Sequence, residues 1–320
     1  MRALLVSLIA SGLALAQAPR VGRVEFYGLH KVSAERLLNA LGVREGDELP
    51  VSKADVEERL EKVPGVVLAR VEAVCCAGDG AVLYVGIEER DAPHVEFRTP
   101  PEGTAELPKV LTDVYGDFAA YFGEAARSGD PTGPAAESYR ETFAHLAASR
   151  LEILRAVLRE SADPEQRAIA AHILGCAAVT QSVVADLQYA MRDSGQTVRA
   201  NAMRALERIA ARDSEPAIRV QPTWFVELLN SLVWDDRHGA AAALAVLSNA
   251  RDPDLLDQIR ERALSSLVEM ARWKTAAHAR AAFVLVGRIA GLTEKDIEDA
   301  WNRGDREPVI QKALKGKPGR

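Results

Sequence analysis

DSGQTVRANAMRALERIA, residues 193–210, is the stretch that decides the fold. Asp193 and the Ser194-Gly195 break precede Arg199, after which Ala202, Ala205, Leu206 and Ile209 recur at helical spacing. The same grammar returns on either side. Asp163-Pro164-Glu165-Gln166-Arg167 leads into Ala170, Ile173 and Leu174, and Asp235-Asp236-Arg237 leads into Ala240, Ala243 and Leu244. A degenerate copy carries His278, Ala281, Val284 and Leu285. The four units cover 154–177, 187–210, 229–250 and 268–290, each an apolar helix, a short polar break and an Ala-rich helix. One helix pair cannot bury its own apolar face, but stacked neighbours share a continuous core, and alanine lets them approach closely. The Asp and Arg positions are expected to cap and bridge successive turns. Trp224-Phe225, Trp234 and Trp273 are expected in the core between repeats.

Asp, a basic residue and then Ala at three-residue steps resembles HEAT repeats. The resemblance implies an all-α HEAT-like solenoid over 107–310, a shape whose long curved surfaces suit protein binding. Upstream, Val110, Leu111, Val114, Phe118, Tyr121 and Phe122 form an apolar helical stripe, 128–134 breaks it, and Tyr139, Phe143, Leu146 and Leu154 begin the next. Residues 91–106 are rich in Pro, Gly and Glu and read as a linker. The end, 311–320, reads as a basic, solvated tail.

Residues 21–90 have a different period. Val24 and Phe26 alternate with Arg23, Glu25 and Tyr27 before Gly28, as in a half-buried strand ending in a turn. Ser33 can cap a helix bearing Leu37, Leu38 and Leu41, ended by Gly42. Ser52-Lys53-Ala54-Asp55 opens a second helix with Val56, Leu60 and Val63 on one face, stopped by Pro64-Gly65. Strands 66–74 and 81–87 follow, joined through Asp79-Gly80. The order is β-α-α-β-β.

That order, with Val24-Glu25-Phe26-Tyr27-Gly28, Val32-Ser33-Ala34-Glu35, Gly46-Asp47, Pro64-Gly65-Val66 and Val85-Gly86-Ile87-Glu88-Glu89, resembles the POTRA domain of envelope-assembly proteins. The fold expected is therefore an α+β N-terminal POTRA-like domain followed by the helical solenoid. POTRA domains bind extended peptides or partner domains, often by adding a strand to a sheet edge. The resemblance implies an exposed edge at Val66, Val67, Leu68, Ala69, Arg70, Val71 and Glu72. Arg70 and Glu72 fit two roles there, recognition and protection of the edge against aggregation. Many POTRA domains precede a membrane β-barrel and others follow an anchor helix in septum assembly. No alternating-strand barrel pattern follows here, so barrel insertion does not carry over.

The apolar run 3–16 after Met1-Arg2, with small residues beyond it, reads as a signal peptide over 1–16 cleaved after Ala16, giving a periplasmic or secreted protein. A retained anchor with a septum role is the alternative. Of 320 residues, 48% are hydrophobic and 27% charged, which excludes wholesale disorder. A net charge of -6 and 5% aromatics argue against nucleic acid as a partner. Membrane association is expected to be indirect at most. Cys75, Cys76 and Cys176 read as small buried hydrophobes, and the six histidines stand without metal-ligand spacing. Neither G-x-S-x-G, H-E-x-x-H nor a phosphate-binding glycine loop occurs, and Glu57-Glu58 and Asp235-Asp236 read as solvated faces. No catalytic, cofactor-binding or metal residue is expected. The function expected is a non-catalytic adaptor for other envelope proteins or extended peptides, in outer-membrane or septum assembly. A HEAT-like enzyme resembling bilin lyases is the alternative.

Overall fold

The computed structural model describes residues 20–77, 80–90, 92–128, 134–212 and 218–316. The leader with its cleavage point, Gly78 and Asp79 of the hairpin turn, most of the helix break at 128–134 and the last four residues lie outside the described residues.

The first part follows the expected order: β1 (Val21–Tyr27), α1 (Ala34–Leu41), α2 (Lys53–Glu61), β2 (Val66–Ala77) and β3 (Gly80–Glu89). Ser33 accepts the Arg36 N–H at 3.4 Å to start α1, and Ser52 accepts that of Asp55 at 3.2 Å to start α2. Gly42, at φ +74°, ends α1 in the left-handed conformation that glycine adopts without a steric penalty. The sheet runs β1-β3-β2, with β1 parallel and β2 antiparallel to the central β3. Alternation along β3 separates two faces. Leu83, Val85 and Ile87 meet Leu37, Leu41, Val56 and Leu60 of the two helices. Val82 and Tyr84 turn the other way.

The helices are α3 (Lys109–Ser128), α4 (Pro134–Glu160), α5 (Pro164–Leu174), α6 (Gln181–Ala190), α7 (Gln196–Ala210), α8 (Thr223–Leu228), α9 (Trp234–Leu247), α10 (Pro253–Ala271), α11 (Ala276–Ile289), α12 (Glu294–Arg303) and α13 (Arg306–Lys315). Successive Ala-rich helices α5, α7, α9 and α11 lie side by side as one layer, and α4, α6, α8 and α10 back them pairwise. Ala170, Ala171, Ala202, Ala240, Ala243, Ala279 and Ala282 are fully buried, which is what the close layer requires. The second part is a tandem helical solenoid.

Tyr27, Val82 and Tyr84 share one apolar cluster with the solenoid, so the sheet is covered on both faces and the core runs through both parts. Two expectations are corrected. First, the stretch expected as a linker over 91–106 is, over 92–108, a strap packed on the core. Val95, Phe97 and Ala105 pack on the core, the Arg98 N–H donates to the Arg192 carbonyl at 2.8 Å, and the Ala162 N–H donates to the Gly103 carbonyl at 2.8 Å. Proline and glycine exclude helix here without excluding burial of the apolar residues between them. Second, the basic tail begins later than expected. Helix α13 runs to Lys315 with Ala313 fully buried, and Arg260 donates to the Ala313 and Gly316 carbonyls at 2.9 and 2.8 Å.

Candidate functional site

The outer side of β2 carries no strand among the described residues. The outer side of β1, by contrast, is partly covered by a loop, the Val21 N–H donating to Asp47 O at 2.8 Å and the Gly46 N–H to Val21 O at 2.7 Å. Val66 through Glu72 thus sit on the more open edge. Their outward backbone groups already have partners, however. The Ala69 N–H donates to Glu61 Oε1 at 3.1 Å and the Val71 N–H to Glu57 Oε1 at 2.9 Å. Arg70 folds back onto its neighbour's carbonyl, Nη1 to Ala69 O at 2.7 Å, and stands 3.8 Å from both glutamates. Helix α2 therefore lays a row of carboxylates along the strand, a known way of blunting an edge. Glu57, expected on a solvated face, is mostly covered, while its neighbour Glu58 faces water beside Lys62. The spacing of Glu57 and Glu61 on α2, four residues apart and off the Val56/Leu60 face, was the signal in the sequence. Val67 stays open, its side chain 51% exposed.

Glu72 does not face the edge as expected. Its carboxylate turns to the solenoid, where Gln196 Nε2 donates to Glu72 Oε1 at 3.1 Å and to Asp235 Oδ2 at 3.3 Å. Burial, and then the neighbouring Asp235 charge, push the Glu72 carboxyl up to about 7.

Around this point the sheet is clamped to the solenoid. Tyr84 lies 4.7 Å from Trp273 and stacks on Trp234 at 5.3 Å, and its hydroxyl is 2.8 Å from His278 Nδ1. The Tyr27 hydroxyl donates to the Leu232 carbonyl at 2.6 Å. Both tryptophans are buried in the core of the solenoid as expected, with Phe225, and in addition reach across to Tyr84 of the sheet. Burial holds His238 and His278 below the ordinary imidazole range, so both are neutral at pH 7.

The repeat anchors form a buried ladder at the turns. Arg167 meets Asp193 through two bonds of 2.9 and 2.8 Å, and Arg199 meets Asp236 at 3.0 and 2.7 Å. Each also donates to carbonyls of the preceding turn, Arg167 to Ser161 at 2.9 Å and Arg199 to Asp193 at 2.9 Å. A buried guanidinium needs this full set of acceptors to offset lost hydration. Asp236, expected in solvent, is 0% exposed. Where the fourth unit has His278 the rung is replaced by the bond to Tyr84.

Cys75 is exposed and disulfide-bonded, contrary to its reading as a buried hydrophobe, and Cys176 is a half-buried free thiol. Among the described residues no cluster of three or more His, Cys, Asp or Glu side chains is placed to hold a metal ion, and no helix is long and apolar enough to cross a membrane.

No protein-family model matches the chain, and no curated protein matches it. Among solved structures, a designed armadillo repeat protein is similar at 19% identity and a TM-score of 0.36, over 59% of this chain and 90% of that one. Computationally designed armadillo repeat proteins for modular peptide recognition are similar at 18% identity and a TM-score of 0.38, over 65% of this chain and 98% of theirs. Likeness at this level says nothing about what this chain binds.

Proposed function

We propose that the chain is a non-catalytic adaptor that takes an extended segment of another protein along the outer edge of β2. The observation that carries this reading is that two edge N–H groups of β2 are capped by side chains alone. The Ala69 and Val71 N–H groups are held by the side chains Glu61 and Glu57 and not by a strand or loop. An incoming strand replaces two side-chain acceptors with two carbonyls, so the net gain per bond is small and selectivity rests on side chains such as Val67. The Tyr27, Tyr84, Trp234 and Trp273 clamp holds the edge in a fixed position on the solenoid, so little conformational freedom is lost on binding.

The finer reading follows from the resemblance of 21–90 to POTRA domains and from the apolar run at 3–16. It is an exported protein of the periplasm or secreted space, joining envelope proteins in outer-membrane or septum assembly, with no bond-making step of its own. A photo-crosslinking residue placed at Val67 in the full chain tests this in cells. Discrete adducts at Val67, weaker or absent at exposed Val51, are expected. Equal labelling at the two positions would remove the β2 edge as the contact surface.

A further inference from the structure

Away from β2, the first helices of the solenoid border an open-mouthed cavity of about 520 Å³ between α3, α4, α5 and α7. That size falls in the roughly 300–1,000 Å³ range of small-molecule sites. Its inner wall is aromatic. The Phe118 ring lies 5.2 Å from Phe143 and 4.8 Å from His172, and Phe143 meets His172 edge-on at 5.0 Å. Burial, helped by Arg208 and Arg204, lowers the His172 imidazole to about 4, so this ring is neutral and acts as one more flat apolar surface. Cys176 is also part of the wall, and burial raises its thiol above the ordinary range, which makes it a poor nucleophile and an apolar lining group.

The mouth has the opposite character. Arg140 and Arg208 line it, and both lie close enough to Cys176 to oppose the rise in its thiol. Arg140 is paired with Glu137. Arg208 makes no ion pair within 4 Å among the described residues; its guanidinium makes a long 3.5 Å bond to the Gly175 carbonyl, and its charge also acts on the neighbouring Glu207 carboxyl. Glu141 also lines the cavity, facing solvent. An aromatic interior behind an arginine with no ion-pair partner within 4 Å among the described residues is complementary to a molecule with an apolar body and one negative head.

We propose that this cavity binds an amphiphilic monoanion, a carboxylate with a medium-length apolar body, its body against Phe118, Phe143 and His172 and its head on Arg208 and Arg140. The site is independent of the β2 edge: the two share no residue, and either can fail alone.

Dodecanoate, below its micelle concentration, and dodecanol are the probes, with the full chain titrated calorimetrically. One saturable dodecanoate site per chain is expected, with dodecanol about tenfold weaker or worse because it offers no charge to the guanidinium. Bound dodecanoate protects Cys176 from alkylation by iodoacetamide. Arg208→Gln, a change at an exposed position, weakens dodecanoate by about tenfold and leaves dodecanol unchanged. Ala144→Trp, also at an exposed lining position, fills the mouth and abolishes both. The proposal is overturned by dodecanol binding as tightly as dodecanoate, by alkylation of Cys176 at an unchanged rate, or by a titration that R208Q and A144W leave intact while their thermal melts match the parent.

Discussion

Arg237 donates to Glu269 at 3.0 Å, and the same carboxylate accepts the Gly28 N–H from the end of β1 at 3.1 Å. The last acidic rung of the repeat ladder is therefore also the acceptor that fixes the sheet. Glu269→Ala would leave the Arg237 guanidinium, 3% exposed, without its counter-charge and free the turn at Gly28 in one step. Breaking a buried pair from one side costs about 3–5 kcal/mol, and partial exposure of Glu269 argues for the lower end, about 3 kcal/mol. Glu269→Gln keeps an acceptor and should cost less. Urea unfolding of the two variants checks the order.

At Gly86 the sheet and the solenoid leave no room for a side chain. A Cβ there would sit 2.5 Å from the Leu232 carbonyl oxygen and 2.7 Å from the Tyr27 ring. Gly86→Ala must push the two parts apart or tilt Tyr27 away from its bond to Leu232. A loss of about 1–3 kcal/mol is expected, as for other overpacked sites. Red-shifted tryptophan emission should accompany it, since Trp273, almost fully buried, lies at the same junction.

Glu72 makes that junction sensitive to acid and base. Its carboxyl is raised to about 7 in the folded chain by burial, then Asp235, with Asp236 adding and Lys53 opposing. The unfolded carboxyl gives up its proton near 4.5, so between about 4.5 and 7 the folded state holds the extra proton. Stability from this group is therefore full below that window and falls as pH rises through it. Glu72→Gln should flatten the pH dependence across the window, measured as the urea midpoint at successive pH values, and should leave the chain more stable than the parent above pH 7.

The solenoid was legible because its signals are local: a break, a capping Asp, and buried alanines at helical spacing such as Ala202 and Ala205. The same holds for α1 and α2, whose caps Ser33 and Ser52 are visible in the chain. What escaped was pairing between distant residues. Asp236 looks like any exposed acid beside Asp235 until Arg199 is brought to it, and Glu57 looks solvated until β2 is laid alongside. Trp234 and Trp273 are apolar in any reading, but nothing in their own neighbourhood says that Tyr84 is their partner. The aromatic cavity was invisible for the same reason, since Phe118, Phe143 and His172 come from three separate helices.

Glu57 and Glu61 should behave as guards of the β2 edge. Replacing both by Ala removes the acceptors of the Val71 and Ala69 N–H groups and exposes a row of unpaired donors beside the open Val67 side chain. Self-association through that edge should rise with protein concentration, visible by sedimentation. Conversion of both to Gln keeps an acceptor oxygen at each place and should leave the chain as monodisperse as the parent. If E57A/E61A stays unchanged as well, the carboxylates are not what protects this strand.

The strap at 92–108 should come loose through one contact pair. The Arg98 guanidinium lies over the Tyr189 ring at 3.3 Å and stands 3.7 Å from Asp193, and the neighbouring Phe97 ring packs on the Arg199 guanidinium at 3.8 Å. Phe97 and Arg98 thus cover the first two rungs of the ladder, Arg167–Asp193 and Arg199–Asp236, from water. Their loss would wet charges whose mutual attraction depends on a poorly hydrated setting. Phe97→Ala with Arg98→Ala should raise protease cleavage within 92–108 severalfold at temperatures where the helices remain folded. The melting temperature should also become more sensitive to salt, because hydrated ion pairs are screened and dry ones are not. Unchanged cleavage would mean that the Gly103–Ser161 bridge and the bond from Ala162 to Gly103 hold the strap by themselves.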